Sequence, residues 1–477
     1  MAIGVGINKA DRAQYNGKIT GSVLLACIIA ATGGLLFGYD TGVTEILPGV
    51  YSNMKEDAEV SNYCKFDSQL LTAFSSSIYI SGLFASFLAS RITRDYGRRP
   101  PLARSRRRFR QPGGPTLPLR NGPSRYRGAF NFGFQSFLSV GTTAAFLINY
   151  GTSTIGTDWG WRISLATAVA PASILILGTL FLPETPNSLI QQGRDTEIAK
   201  RLLQKIRGVD DVEAELDDLL VANYNSAQIK HPFKKILKRS YRPYLVMAVA
   251  IPFFQQMTGI TVISFYAPIL FRTIGSDESA SIMSSLITTS LGIVSTFLSS
   301  LVVDKVGRRV IFLFGGIQMF VSQMLIGAIM ADKLGDRGAL SQEYNITIVV
   351  LICIYVSGFG LSWGPLGWLV TSEIFPLEIR SAGQSITVAV SFFFSFLIGQ
   401  IFLAILCLLK SGTFFFFGAW VAFMTAFVFF LLPETKNVPI EKMDRIWREH
   451  PFWCRYVGDD QEWMENQIEE PFLSSAK

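Results

Sequence analysis

One carboxylate in an otherwise apolar run, GGLLFGYDTGVT (33–44), is the first group in this sequence whose chemistry needs explaining. Asp40 stands near the end of that run. An ionised carboxylate there costs several kcal/mol unless it is paired, protonated or touching water. Such a group suits the uptake and release of protons; a helix-end aspartate simply wetted by solvent is the competing reading. A second run, IPFFQQMTGITVISFYAP (251–268), sets two adjacent amides, Gln255 and Gln256, in a stretch interrupted by Pro252, Gly259 and Pro268. Amides in lipid need partners, and a sugar offers hydroxyls that both donate and accept. Neighbouring helical residues point about 100° apart, so both amides can face one wide cavity or else tie helices together. FGLSWGPLGWLVTSE (359–373) is broken by glycine and proline in the same manner and carries Trp363 and Trp368. An indole face suits the C–H face of a pyranose ring, although membrane tryptophans also form interfacial belts. Gln135 is a further intramembrane amide open to the same two readings. Broken spans in matching places point to a transporter's binding site.

These groups need long apolar helices to carry them, and the composition supplies them. Of 477 residues 49% are hydrophobic, 38 are phenylalanine and only 17% are charged, against about a quarter in soluble domains. Apolar runs of about 20 residues, enough to cross a hydrocarbon core, predict ten spans. They fall near 20–43, 70–90, 130–150, 163–182, 244–271, 281–303, 311–331, 346–370, 381–409 and 411–432. The chain therefore reads as an all-α polytopic membrane protein. No cleavable signal precedes the first span, which is expected to act as its own insertion signal. Two histidines, His231 and His450, and five cysteines without metal-ligand spacing give no basis for a metal, a cofactor or an enzyme.

Charge orders these spans. Lysine and arginine gather in the N-terminal tail (Lys9, Arg12, Lys18), in 91–127, in 183–243 and at Arg308 and Arg309, while the alternate loops carry few. The positive-inside rule puts both termini and the 183–243 linker in the cytoplasm. The halves also echo each other. GRR (97–99) matches VDKVGRR (303–309), LPET (182–185) recurs at 432–435, and RGAFNFGFQ (127–135) resembles RSAGQSITV (380–388). Duplicated halves are expected of transporters with parallel repeats. The expected organisation is an N-terminal bundle (1–182) with an extracellular lid near 44–69. The linker follows (183–243), with short amphipathic helices, then a six-helix bundle (244–432) and a cytoplasmic tail (433–477). Arginines at some helix ends (Arg98, Arg99, Arg127, Arg308, Arg309, Arg380) and glutamates at others (Glu184, Glu373, Glu434) are expected to form a cytoplasmic gating network of charge-assisted bonds.

Together with YCKFDSQLLTAFSSSIYISGL, WGWRISLA, FLPETPNSLI, SEIFPLEIRSAGQS and FLLPETKNVPIEKM, these segments resemble the sugar porter family of the major facilitator superfamily. Within it they look most like plant monosaccharide/proton symporters. The resemblance implies twelve helices in two bundles and alternating access around a central site. It implies a monosaccharide, a glucose-like hexose, and a proton as partners, and the plasma membrane as location. By resemblance Asp40 matches the proton-binding aspartate. Gln135, Gln255, Gln256, Gly364 and Trp368 match sugar-site positions, with Thr261 and Ser391 at two more. Cys64 and Cys407 match a pair that forms an extracellular disulfide in these symporters. Thr261, Gly292 and Ser391 stand where the family usually has asparagine, and Thr371 where it has proline.

Four spans precede the linker and six follow it, so a hairpin, the family's third helix and most of its fourth, is missing where 91–127 lies. That segment holds 12 arginines and one acid, Asp95. It has no folded nucleic-acid-binding module, and a cationic loop beside anionic lipids is the simpler reading; nucleic acid is not an expected partner. Codons for the family's Phe-Ala-Asn-Gln-Ala-Val-Pro-Leu-Tyr-Leu-Ser-Glu-Met-Ala-Pro, read one base earlier, translate as FRQPGGPTLPLRNGP, which is residues 109–123. The middle of the stretch thus reads as out-of-frame translation, with the frame restored near Ser124. A transport-inactive paralogue, sugar-binding only, is the alternative expectation. NIT (345–347) fits a glycosylation sequon abutting a span.

Overall fold

The computed structural model describes most of residues 20–44, 127–153, 159–181, 186–220, 232–263, 278–334 and 340–457, together with Cys64 and helical residues 72–73 and 76–84. Arg98, Arg99, Glu184 and the arginine stretch lie outside the described residues, as does the lid apart from Cys64. Helix occupies part of each of the ten apolar stretches, and no strand occurs among the described residues. In the N-terminal half these are α1 (Gly21–Thr44), α2 (76–84), α3 (Arg127–Ser153), α4 (Gly160–Thr167) and α5 (Val169–Phe181). In the linker α6 (Thr196–Arg207) is amphipathic. It buries Ala199, Leu203 and Ile206 and pairs Lys200 with Glu213 at 2.7 Å. The C-terminal half contains α7 (Arg242–Met257), α8 (Glu278–Val306), α9 (Arg308–Lys333), α10 (Gln342–Leu361), α11 (Trp363–Ile374), α12 (Arg380–Leu409) and α13 (Gly412–Leu431). A short α14 (Met443–Glu449) follows.

Among the described residues five helical stretches are long and apolar enough to cross a membrane. Burial follows the logic of lipid. Met319, Ile326, Ile352 and Leu366 are completely enclosed between helices, while Phe314, Ile317 and Phe430 face outward with at least 60% of their surface free. A soluble protein does not display so wide an apolar exterior; hydrocarbon accepts it.

Among the described residues several contacts join the helices before residue 182 to those after 243. α3 packs on α8, with Phe146 against Leu286. Gln400 on α12 accepts from Ser76 and donates to Thr72, each at 3.0 Å. Cys64 is bonded to Cys407 near the end of α12, with Cα atoms 4.5 Å apart. Within the N-terminal half the dominant contact is α1 on α3. A Cβ at Gly38 would enter the backbone of Leu138, and one at Gly141 would enter the carbonyl of Leu35. Only glycine permits this approach, the device by which helices pack when lipid offers no hydrophobic drive.

NIT (345–347) falls in the first turn of α10, where the Thr347 hydroxyl bonds the Glu343 carbonyl at 2.8 Å. Its amide is therefore part of a helix rather than a free loop.

Candidate functional site

The local sequence decides where α7 stops. Gly259 has φ +82, a left-handed conformation that glycine adopts without a steric cost. Residues 260, 261 and 263 are again helical, with the Thr258 hydroxyl accepting from the Ile260 N–H at 3.2 Å and the Ile263 N–H bonding the Gly259 carbonyl at 3.1 Å. The near side of this break is held from two neighbours. Thr258 carbonyl accepts from Gln323 Nε2 on α9 and from the Tyr355 hydroxyl on α10, both at 2.8 Å and both buried. A second break, at Ser362 between α10 and α11, lies alongside.

The two adjacent glutamines join these breaks. Gln255 Nε2 donates to the carbonyls of Trp363 and Gly364 at 3.0 Å each, clamping α7 to the start of α11. Gln256 Nε2 donates to Ser391 Oγ on α12 at 3.2 Å, and its Oε1 accepts from Thr261 Oγ1 at 2.6 Å. Gln255, Gln256, Thr261, Gly364 and Ser391 are therefore gathered at one place, all buried. Both glutamines act here as interhelical ties, one of the two readings the sequence left open. Gly367 leaves room for the Gln255 amide, which a Cβ there would meet at 3.0 Å.

Trp363 is fully enclosed and packs its ring on Phe312 at 4.6 Å, so it is core rather than interfacial belt. Trp368 is half-buried on α11. α3 touches both α8 and α11, which brings the helix bearing the half-buried Gln135 against the helix bearing Trp368. The Thr371 hydroxyl bonds the Gly367 carbonyl at 2.8 Å. A proline at 371 would leave that carbonyl without its helical N–H, so threonine keeps this turn of α11 closed.

Asp40 is half-buried on α1. Gly34, Gly38 and Gly42 press on α3, and Asp40 stands about 200° around the helix from Gly38, on the face away from α3. Among the described residues it makes no ion pair. Phe37 on the same helix touches the rings of Tyr79 and Phe392, with centroids 6.2 and 6.1 Å away.

At the opposite end of the C-terminal half the repeated charges converge. Arg308 forks onto Glu373, Nη2 to Oε1 at 3.1 Å and Nε to Oε2 at 3.3 Å, and reaches Asp304 at 3.0 Å. Glu434 accepts from the N–H groups of Arg308 and Arg309 at 2.9 and 3.0 Å, capping α9 with a carboxylate where the helix dipole favours one. Gly307, with φ +108, leaves space for that carboxylate. Arg309 donates to the Phe429 carbonyl and stacks on the Phe429 ring. Arg380 bonds the carbonyl of Phe375, through Nε and Nη2 at 3.2 Å each. Arg127 opens α3, and its side chain lies outside the described ones.

Thr258, Gln323, Tyr355 and Asp304 were not singled out from the sequence. Gln323 carried the same signal as Gln255, an amide inside an apolar helix. Thr258 and Tyr355 carry none, because their part depends on a backbone carbonyl exposed by the break.

The model of the "Sugar (and other) transporter" family matches residues 26–105 and 119–447. The chain belongs to this family. The hexose carrier protein HEX6 of Ricinus communis is 56% identical over 509 aligned positions, which cover 98% of this chain and 100% of that protein. The sugar transport protein MST6 of Oryza sativa subsp. japonica is 47% identical and covers 99% of this chain. A solved structure of the proton:xylose symporter XylE superposes with a TM-score of 0.73 over 91% of this chain at 21% identity, giving the major facilitator fold. The protein is thus a multi-pass membrane protein of a sugar-transporting family, not an enzyme. Since 98% of 477 residues is about 467, the 509 aligned positions with the hexose carrier leave about 509 − 467 = 42 without a residue of this chain. The internal gap in the family match, residues 106–118, falls inside the arginine stretch.

Proposed function

We propose that this family member is a proton-coupled monosaccharide symporter that imports a glucose-like hexose across the plasma membrane, with both termini cytoplasmic. The observation that carries the reading is the gathering of Gln255, Gln256, Thr261, Gly364 and Ser391 at two adjoining helix breaks. Amides and hydroxyls already paired with one another at a break can exchange those partners for sugar hydroxyls at little net cost. Trp368 and Gln135 complete the lining, the first as an aromatic face and the second from the N-terminal half. The 56% identity to a protein named a hexose carrier, over all of that protein's length, supports a hexose as cargo. Asp40 is the proton site: protonation from outside favours loading of sugar, and release inward accompanies delivery. Residues 1–182 and 244–432 form the two rocking bundles, joined by 183–243 and followed by the tail 433–477. The Arg308–Glu373–Glu434 cluster holds the cytoplasmic end closed in one state.

The test is uptake of labelled glucose in yeast lacking its own hexose carriers. Uptake that collapses with a protonophore and with Asp40→Asn supports coupled symport; uptake indifferent to both removes the proton from the reading.

The break in the family match at 106–118 favours a second reading, a transport-inactive paralogue altered by a shifted reading frame. Surface expression with sugar binding and no uptake is its signature. A transcript whose bases cannot encode the family wording in another frame would exclude the frame shift.

A further inference from the structure

The chain segments that border the C-terminal bundle meet at one end of it. Residues 232–241 lead into α7, and residues 450–457 follow α14. Arg242 opens α7, and Trp453 Nε1 donates at 2.8 Å to the carbonyl of Leu431, the last residue of α13. Both segments thus lie where spans leave the hydrocarbon. Their base is aromatic: the Trp447 ring meets Tyr244 at 5.6 Å and Trp453 at 5.9 Å, and both tryptophans are buried. Arg239 Nη2 reaches the Arg455 carbonyl at 3.4 Å, and the Arg242 guanidinium lies over the Tyr456 ring at 5.8 Å. These contacts join the two segments into one surface.

The charge of that surface is unbalanced. Lys234, Lys238, Arg239, Arg242 and Arg455 are all exposed, and none forms an ion pair among the described residues. Glu449, at the end of α14, is already paired with Arg445 at 2.8 Å. Beside the cations three apolar side chains stand free, Leu237 with 65% of its surface exposed and Phe233 and Phe452 with 45% each. Cations alone suit any aqueous face. Apolar groups set among them at the end of a span suit a headgroup layer, where the charge meets phosphate and the apolar group enters the acyl boundary.

We propose that this surface is a binding site for the headgroup of an anionic phospholipid. The orientation put forward above makes this the cytoplasmic leaflet, whose anionic lipids attract cation clusters beside a span. Gln255 lies about 20 Å further along the axis of α7, so the lipid site and the glutamine cluster are separate places. The site takes from the transport reading its orientation and nothing of its sugar chemistry, and the two can fail independently.

Full-length protein in a neutral detergent is titrated with phosphatidylserine or with phosphatidylcholine, and bound lipid is read by native mass spectrometry. Wild type should hold phosphatidylserine in preference to phosphatidylcholine, and less strongly as salt rises. One cation near an anionic surface is worth about fivefold in affinity. Lys234→Gln combined with Lys238→Gln is therefore expected to weaken phosphatidylserine about 25-fold and to leave phosphatidylcholine unchanged. Neither lysine makes a hydrogen bond among the described residues, so the melting curve of this variant should not move. Lys333→Gln removes the same charge at the last residue of α9, the end remote from Arg309 and Phe429, and should bind as wild type does. Equal affinity of wild type for the two lipids overturns the site, and so does a loss with Lys333→Gln as large as with the lysine pair. Equal competition by glycerophosphoserine, the headgroup without its chains, overturns the lipid assignment by making this a site for soluble anions. Phosphatidylserine binding that appears only after removal of residues 458–477, a stretch with six acids, overturns it too, by making the acidic tail the occupant.

Discussion

Glu373→Gln tests whether the charge cluster stabilises the C-terminal bundle. The side chains of Arg308 and Glu373 are 7% and 15% exposed, and two hydrogen bonds join them at 3.1 and 3.3 Å. Breaking a buried pair from one side costs about 3–5 kcal/mol, because a charge is left without its partner. Here Asp304 remains 3.0 Å from the guanidinium, although its own side chain is 41% exposed. Glutamine also retains one acceptor. The expected cost is therefore at the low end, about 2–3 kcal/mol. For a bundle of this size that lowers the unfolding temperature by roughly 5–10 °C. The assay is thermal unfolding in detergent followed by tryptophan fluorescence, run for Glu373→Gln, Arg308→Met and the double variant. A coupling of about 2 kcal/mol should emerge from the cycle. Raising the salt should leave it nearly intact, since enclosed pairs are screened far less than exposed ones. A shift below about 2 °C for Glu373→Gln, or additive single changes, would refute the reasoning and reduce the cluster to surface anchoring.

Two further outcomes follow from the packing. Gly38→Ala drives a methyl into the Leu138 backbone and should destabilise the protein by more than about 1–3 kcal/mol; Gly21→Ala, at a glycine with open space around it, should not shift the same melting curve. His450 accepts a bond from the Phe452 N–H at 3.2 Å, and burial followed by the nearby Arg309 lowers its pKa from the ordinary 6.5. The folded protein thus prefers neutral imidazole. This contribution is present above the unfolded pKa and is lost as pH falls through the lower folded value. Quenching of Trp453, which docks on the Leu431 carbonyl, should report looser packing of the segment after α14 on acidification, and His450→Gln should flatten that dependence.

Much of the architecture was legible in the sequence because lipid imposes one rule on every span. About 20 apolar residues must form a helix, since no water is present to satisfy a free backbone. All ten stretches contain helix, and the second copies of the repeated GRR and LPET words lie where the Arg308 and Arg309 backbone N–H groups meet the Glu434 carboxylate. Gln255 and Gln256 were equally legible as polar groups out of place in lipid, while Thr261 and Ser391 were marked only by the family resemblance.

What composition and spacing could not convey was who pairs with whom. Gln255 and Gln256 are neighbours with one chemistry, yet one clamps α11 and the other bridges a break to α12. The difference arises from the 100° turn between them and from which helix lies on each side. Arg308 forks onto the Glu373 carboxylate, and Arg380, with the same charge, donates to the Phe375 carbonyl. The sequence alone determined the membrane, the helices and the polar groups within them, because these follow from local hydrophobicity. The tertiary structure decided the hydrogen-bond partners, because a buried amide takes whichever acceptor the packing of distant helices brings within 3 Å.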